Sequence, residues 1–234
     1  MKEQNYEIRK GKTEIDVLHK DTILTFTHPA YGQNNYSNLK ELIEKDSLNS
    51  PTMSETASLV YQAFINDKEE KEPEFNDIKK IMKDRWLWGF TGILYTPKLI
   101  YIQDNPETRN GRPFMDESEL VKKLEQKDPN VRTLQYGFKL ESMSSLDLAK
   151  NPFVIALAGE EGADKLAQVA DTFKSKPYLG SFKSVDENLT RVSALYSYGY
   201  LDHRLSVNGG NHGDGGDGCA LGVRHKNFSS GNKE

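Results

Sequence analysis

The stretch RWLWGFTGILYTPKLIYIQDN, Arg85 to Asn105, constrains the chain most. It puts both tryptophans, Trp86 and Trp88, where a charged amphipathic segment meets two apolar runs separated by Pro97 and Lys98. Upstream, Phe75, Ile78, Ile81, Met82 and Trp86 recur at helical spacing, with Asp77, Lys79, Lys80 and Lys83 on the other side. Downstream, Gly89 and Gly92 relax the chain and a strand–turn–strand unit follows. A helix running straight into a hairpin predicts a mixed α and β domain. The two tryptophans bracket the helix end and are expected to anchor it to the sheet.

The flanking sequence supplies the other elements. Tyr6 and Ile8, then Ile15 and Val17, alternate with polar neighbours around a turn at Gly11, and Leu24 and Phe26 share one face of TILTFT. HPAYGQNNYSN reads as a long polar loop, after which Leu39, Leu42 and Ile43 carry a short helix. Thr52 and Glu55 have capping-box spacing ahead of Leu59, Val60, Ala63 and Phe64, and Asp116 and Glu119 repeat it ahead of Leu120, Val121 and Leu124. RTLQYGFKL alternates as a half-buried strand, with Leu134, Tyr136, Phe138 and Leu140 on one side. FVIALA reads either as a buried strand or as helix opened by Pro152 and capped by Asn151. EEGADKLAQVADTFK is helical, and from Thr190 onward Val192, Ala194, Tyr196, Tyr198 and Tyr200 share a strand face.

These patterns predict a single α+β domain with a mainly antiparallel sheet. Helices near 53–66, 74–87, 117–126 and 160–174 are expected to cover one face. Residues 1–50 and 190–225 are expected to share a sheet. The domain is expected to span 1–226, with a glycine-rich loop at 208–218 and a flexible tail at 227–234. Trp86, Leu134, Phe138, Leu166 and Tyr196 are the expected core.

Composition narrows the function classes. Aromatic residues at 10% support a packed core although the mean hydropathy is -0.71. A net charge of -4 from 31 basic and 35 acidic residues gives no basis for broad nucleic-acid affinity. No apolar run has the length of a membrane span, and the N-terminal residues lack a signal-peptide core. One cysteine, Cys219, cannot form an internal disulfide. These features point to a reducing cytoplasm, in a cellular chain or a viral one made there. FVIALAGEEGADKL imitates a strand–turn–helix phosphate site, but it lacks GxxxxGK[ST] and GxGxxG, and Glu160 and Glu161 occupy the helix start. The tyrosine row from Tyr196 to Tyr200 has no interleaved lysine or arginine on its face for reading nucleic acid.

The chemistry-bearing side chains gather near the C-terminus, in LDHRLSVNGGNHGDGGDGCALGVRH. Six of the ten residues from Gly209 to Gly218 are glycine. Ordering such a loop costs backbone entropy, which a ligand, metal or partner can offset. His203, His212, Asp214 and Asp217 are the candidate ligands for a divalent metal, with Asp202, Cys219 and His225 nearby. Zinc would suit the histidines and Cys219, and calcium or magnesium would suit the aspartates. Arg109 and Arg112 in NPETRNGRP, with Asn211, are the candidates for holding an anion or other ligand. HExxH, GxSxG and CxxC are absent. Two function classes therefore remain: a non-catalytic binding or structural protein, with a protein partner or a homo-oligomer, and a metal-dependent, hydrolase-like enzyme. Convergence of His203, His212 and Asp214 within a few ångströms would distinguish the second from the first.

Overall fold

A computed structural model of the chain describes residues 6–8, 14–66, 72–197 and 203–226. Strands β1 (Tyr6–Ile8), β2 (Glu14–His19), β3 (Thr22–Thr27) and β4 (Tyr31–Asn34) lead into α1 (Tyr36–Lys45). The HPAYGQNNYSN stretch is thus not a plain loop. It contains β4, and Asn35 caps α1 by accepting the Asn38 N–H at 2.9 Å. Next come α2 (Met53–Tyr61), which runs into a π-helical turn at Gln62–Asn66, and α3 (Pro73–Asp84). The Thr52–Glu55 capping box that opens α2 is formed in both directions.

The hairpin follows as β5 (Trp86–Tyr95) and β6 (Ile100–Asp104). Trp86 therefore begins a strand and does not close a helix. A polar excursion holds β7 (Thr108–Arg109), β8 (Arg112–Pro113) and α4 (Glu117–Glu125). Then come β9 (Val131–Leu134), β10 (Glu141–Ser142), α5 (Ser145–Ala149) and α6 (Pro152–Ala170). FVIALA is helical: Pro152 opens α6 and the Asn151 side chain accepts the Phe153 N–H at 3.0 Å. The helix is interrupted at Gly159, whose φ of 74° a residue with a side chain would adopt only under strain. The chain finishes with β11 (Tyr178–Gly180), β12 (Leu189–Tyr196), β13 (Ser206–Asn211), β14 (Gly218–Ala220) and β15 (Val223–Lys226). Tyr198, Tyr200, Asp202 and the tail at 227–234 lie outside the described residues.

Among the described residues two main sheets form, one of four strands in the order β1-β2-β3-β15 and one of nine, mixed antiparallel and parallel. The ends of the chain do share sheets, because β15 pairs with β3 and β14 with β4. In the larger sheet β5 is the axis. One of its edges takes β12, and the other is shared between β14 at Trp86–Leu87 and β6 at Thr91–Tyr95. Helices cover both faces of this sheet and not one. Leu87, Ile93 and Tyr95 pack in the cluster that contains α2, α3 and α6. Trp88 and Phe90 pack against Tyr36, Leu39 and Ile43 of α1, and Leu94 packs against Leu120 of α4.

The large sheet is curled. Its order β9-β6-β5-β12-β13-β11-β10 puts β9 and β10 at opposite edges, yet residues 135–140 join them directly. A flat sheet of these strands would separate the edges by about 29 Å. The connection from Leu134 to Glu141 can reach at most about 25 Å. The sheet therefore wraps toward itself, and α6 fills the concave face. Phe153 of α6 stacks on Phe138 at 4.9 Å and on Tyr95 at 6.3 Å, and a Cβ on Gly209 would lie 2.5 Å from its ring.

The expected core is only partly as the sequence suggested. Leu166 is wholly buried, whereas Trp86, Leu134, Phe138 and Tyr196 are half-buried. Leu134 and Phe138 pack on the main cluster from the curled edge, and the Trp86 ring is flanked by Trp88 and Tyr196.

Candidate functional site

The glycine-rich stretch is sheet at both ends. Gly209 and Gly210 lie in β13 and Gly218 opens β14, leaving residues 212–217 as the connection. Three of the glycines have structural causes. A Cβ on Gly218 would sit 1.8 Å from Trp88 Nε1, just as one on Gly209 would enter the Phe153 ring. Gly213 has φ +80°; its N–H donates to Asn211 Oδ1 at 3.0 Å and its carbonyl accepts the Tyr36 N–H at 2.9 Å. Asn211 thus spends its side-chain oxygen on the turn.

The ligand-type side chains of this region do not gather. His203, His212, Asp214 and Asp217 are exposed, and no group of three or more His, Cys, Asp or Glu that could hold a metal occurs among the described residues. Asp214 faces Arg112 at 3.8 Å, so an expected metal ligand and an expected anion holder meet each other. Arg109 pairs with Glu107 at 3.3 Å, and its guanidinium lies 3.5 Å over the Phe114 ring. His28 turns to Asp77 of α3 at 3.1 Å. Cys219 is buried beside Gly32, and burial pushes its thiol pKa up. Melting of dialysed protein with zinc, calcium or magnesium is expected to show no shift, because an ion stabilises only by binding the folded state. A rise in Tm that His212→Ala removes would restore the metal reading.

A polar network that no local pattern announces joins the small sheet to the helices. Ser58 Oγ of α2 lies 2.8 Å from His19 Nδ1 of β2 and accepts from Lys165 Nζ of α6 at 2.9 Å. Lys165 is held by Glu161 at 2.5 Å. One helical turn before Ser58, Glu55 takes His225 of β15 at 2.6 Å and the Thr52 N–H at 2.7 Å. A hydroxyl between a lysine and an imidazole is polarised as a nucleophile would be, but Ser58 is 1% exposed and has no open side for an electrophile. A hollow of about 310 Å³ lined by Leu18, Tyr61, Glu161, Lys165 and Gln168 lies beside the network.

The network makes stability depend on pH with a definite sign. Burial lowers the His19 pKa from its ordinary 6.5; Lys20 and Lys165 lower it further, against Glu55 and Glu161. The unfolded chain therefore binds this proton first, and stability falls as pH drops below 6.5 toward the folded value. His225 is raised, first by its bond to Glu55, so its contribution is lost instead as pH rises above 6.5. Urea unfolding at pH 7 and pH 5 is expected to show wild type losing more stability on acidification than His19→Gln. Parallel losses would remove His19 from this account.

A second concavity lies at the curled seam of the large sheet. β10 and β11 pair antiparallel at Ser142↔Tyr178 and Glu141↔Leu179, and then the ladder stops. Continued in register, Phe138 would face Phe182 and Gly137 would face Lys183. Instead the walls part around a groove of about 410 Å³, lined by Gly137, Phe138, Leu140, Glu141, Phe182 and Lys183. Its size is in the range of small-ligand sites. Behind it the Phe182 ring meets Tyr95 edge-on at 5.0 Å, and the Tyr95 hydroxyl bonds to Ser181 Oγ at 2.7 Å and donates to the Gly209 carbonyl at 3.0 Å. Burial raises the Tyr95 pKa, so this hydroxyl remains a neutral donor. The Arg191 guanidinium lies 5.5 Å from the Phe182 ring, with Nε buried and without a partner. Among the described residues Lys183 has no ion-pair partner either.

Comparison of the chain with protein-family models, with curated proteins and with solved structures finds no match. The fold itself defines the class: a single compact α+β domain whose mixed sheet is covered by several helices. No helix among the described residues is long and apolar enough to cross a membrane.

Proposed function

We propose that this chain is a non-catalytic binding protein whose ligand lies in the seam groove. The observation that carries this reading is the opening of the β10–β11 ladder between Phe138 and Phe182. Aromatic and aliphatic walls there carry one cation, Lys183, and one carboxylate, Glu141, with a second cation, Arg191, behind Phe182; neither cation has an acidic partner among the described residues. Such a groove suits an apolar body with a negative end. The buried polar groups of the other candidate cluster satisfy one another, which supports binding over catalysis. Cys219, buried and single, suits a chain kept in a reducing cytoplasm.

Titration with anilinonaphthalene sulfonate, a flat apolar anion, tests the groove. Saturable binding at one site is expected. Leu140→Asp, which puts a carboxylate in the apolar wall, should weaken it by about tenfold or more. Lys183→Glu at the exposed rim should weaken it several-fold without changing the melting curve. No saturable binding, or equal binding by both variants, would overturn the reading.

A further inference from the structure

We infer that the occupant of the seam groove is a free aromatic amino acid, held by its ring and by both charges of its head group; this rests on the groove being the binding site. The charges on the walls are the reason. Glu141 stands on one wall with Gly137, Phe138 and Leu140, and Lys183 stands on the other with Phe182. Both are exposed, and among the described residues neither forms an ion pair, with the other or with any third group. The cations beside Glu141 in the chain and in the sheet are engaged elsewhere. Lys139 pairs with Asp147 at 2.6 Å, and Arg204 donates to Ser142 Oγ at 2.9 Å and lies over the Tyr178 ring. Arg191, behind Phe182, adds positive charge on the Lys183 side. Glu141 also takes φ +65° at the last pair of the β10–β11 ladder, a backbone conformation that a residue with a side chain adopts at a cost. The groove thus has an acidic wall and a basic wall, with apolar surface between them.

The apolar surface favours a ring. Phe138 stacks on Phe153 at 4.9 Å, Phe153 on Tyr95 at 6.3 Å, and Tyr95 meets Phe182 at 5.0 Å. The two ends of this series, Phe138 and Phe182, are the rings that line the groove, and both are half-buried. A planar guest between them closes the series, since rings at such separations attract one another beyond what their burial supplies. An aliphatic chain would fill the space without that gain. The head group then lies at the rim, its carboxylate toward Lys183 and its ammonium toward Glu141, each in a charge-assisted hydrogen bond. An aromatic acid without the amine would leave Glu141 beside a like charge, and an aromatic amine without the acid would do the same to Lys183. A zwitterion answers both walls. At about 410 Å³ the groove has room for a single or a fused ring.

Displacement of anilinonaphthalene sulfonate by L-phenylalanine, L-tyrosine and L-tryptophan tests this, beside the amide and the N-acetyl derivative of each and beside L-norleucine. The amide stands for the first residue of a peptide and the acetyl derivative for the last, so these arms also separate a free amino acid from a peptide end. At least one free amino acid is expected to displace the dye saturably. Its amide, which lacks the carboxylate, and its acetyl derivative, which lacks the ammonium, should each bind at least about tenfold more weakly, and norleucine several-fold more weakly. In calorimetric titrations Glu141→Gln should remove the preference over the acetyl derivative and Lys183→Gln the preference over the amide, both with unchanged melting curves. Equal binding of the amide or of the acetyl derivative overturns the zwitterion, and equal binding of norleucine overturns the ring. Preferences that survive both substitutions put the amino acid elsewhere and overturn the assignment to this groove. If the dye binds and no amino acid displaces it, the groove reading stands and the amino acid falls. If neither binds, both fall.

Discussion

Truncating Trp88 to alanine is expected to cost about 3–5 kcal/mol in chemical denaturation, and the same change at Trp86 only about 1–2 kcal/mol. The difference follows from position along one strand. Trp88 is 1% exposed, enclosed by Tyr36 and Phe90 and roofed by Gly218. Trp86 stands at the start of β5 with one side open, resting on Trp88 at 6.2 Å and touching the Tyr196 ring at 4.2 Å. Removing Trp88 leaves a void that the sheet and α1 cannot close, whereas water can enter the space left by Trp86. Equal losses would mean that Trp86 is as enclosed as its neighbour.

Gly218→Ala is expected to destabilise the protein by about 3 kcal/mol, although it adds a single methyl group. A Cβ at this position would lie 1.8 Å from Trp88 Nε1 and 2.4 Å from Cε2, both parts of a rigid, buried ring. Neither partner can retreat easily, because Gly218 pairs with Asn34 of β4 and Trp86 of β5. The same substitution made in Trp88→Ala should cost far less, giving a coupling of about 1 kcal/mol or more in a double-mutant cycle. Additive effects would show that Gly218 is required for its backbone and not for the space it leaves to the indole.

Several elements could be read from local sequence because the forces that define them are local. The Thr52–Glu55 and Asp116–Glu119 caps act over one turn, and both formed. The apolar runs on either side of Pro97 became the β5–β6 hairpin. The helix ends at Asp84 and not at 87 for an equally local reason. Trp86 falls on the stripe of Met82 if the period is 3.6, but the chain changes to a period of 2 there, which puts Trp86 and Trp88 on one strand face.

The candidate site was much less legible. The alternation of Leu134, Tyr136, Phe138 and Leu140 is plain in RTLQYGFKL, but no local signal says that pairing stops at Leu134. Phe182 and Lys183 sit in a polar connector and meet Phe138 only because the sheet curls. His19, Ser58, Lys165 and His225 come from four elements and converge through the docking of the small sheet on α2. The glycines from Gly209 to Gly218 were conspicuous and suggested a ligand loop, whereas the two with the tightest neighbours answer to Phe153 and Trp88, which lie 56 and 130 residues earlier in the chain. By itself the sequence determined many of the α and β elements, some of their ends and the mixed class of the fold, because periodicity and capping act within a few residues. Strand partners, the open seam and the need for Gly209 and Gly218 were decided by the tertiary structure, since they depend on contacts between residues far apart along the chain.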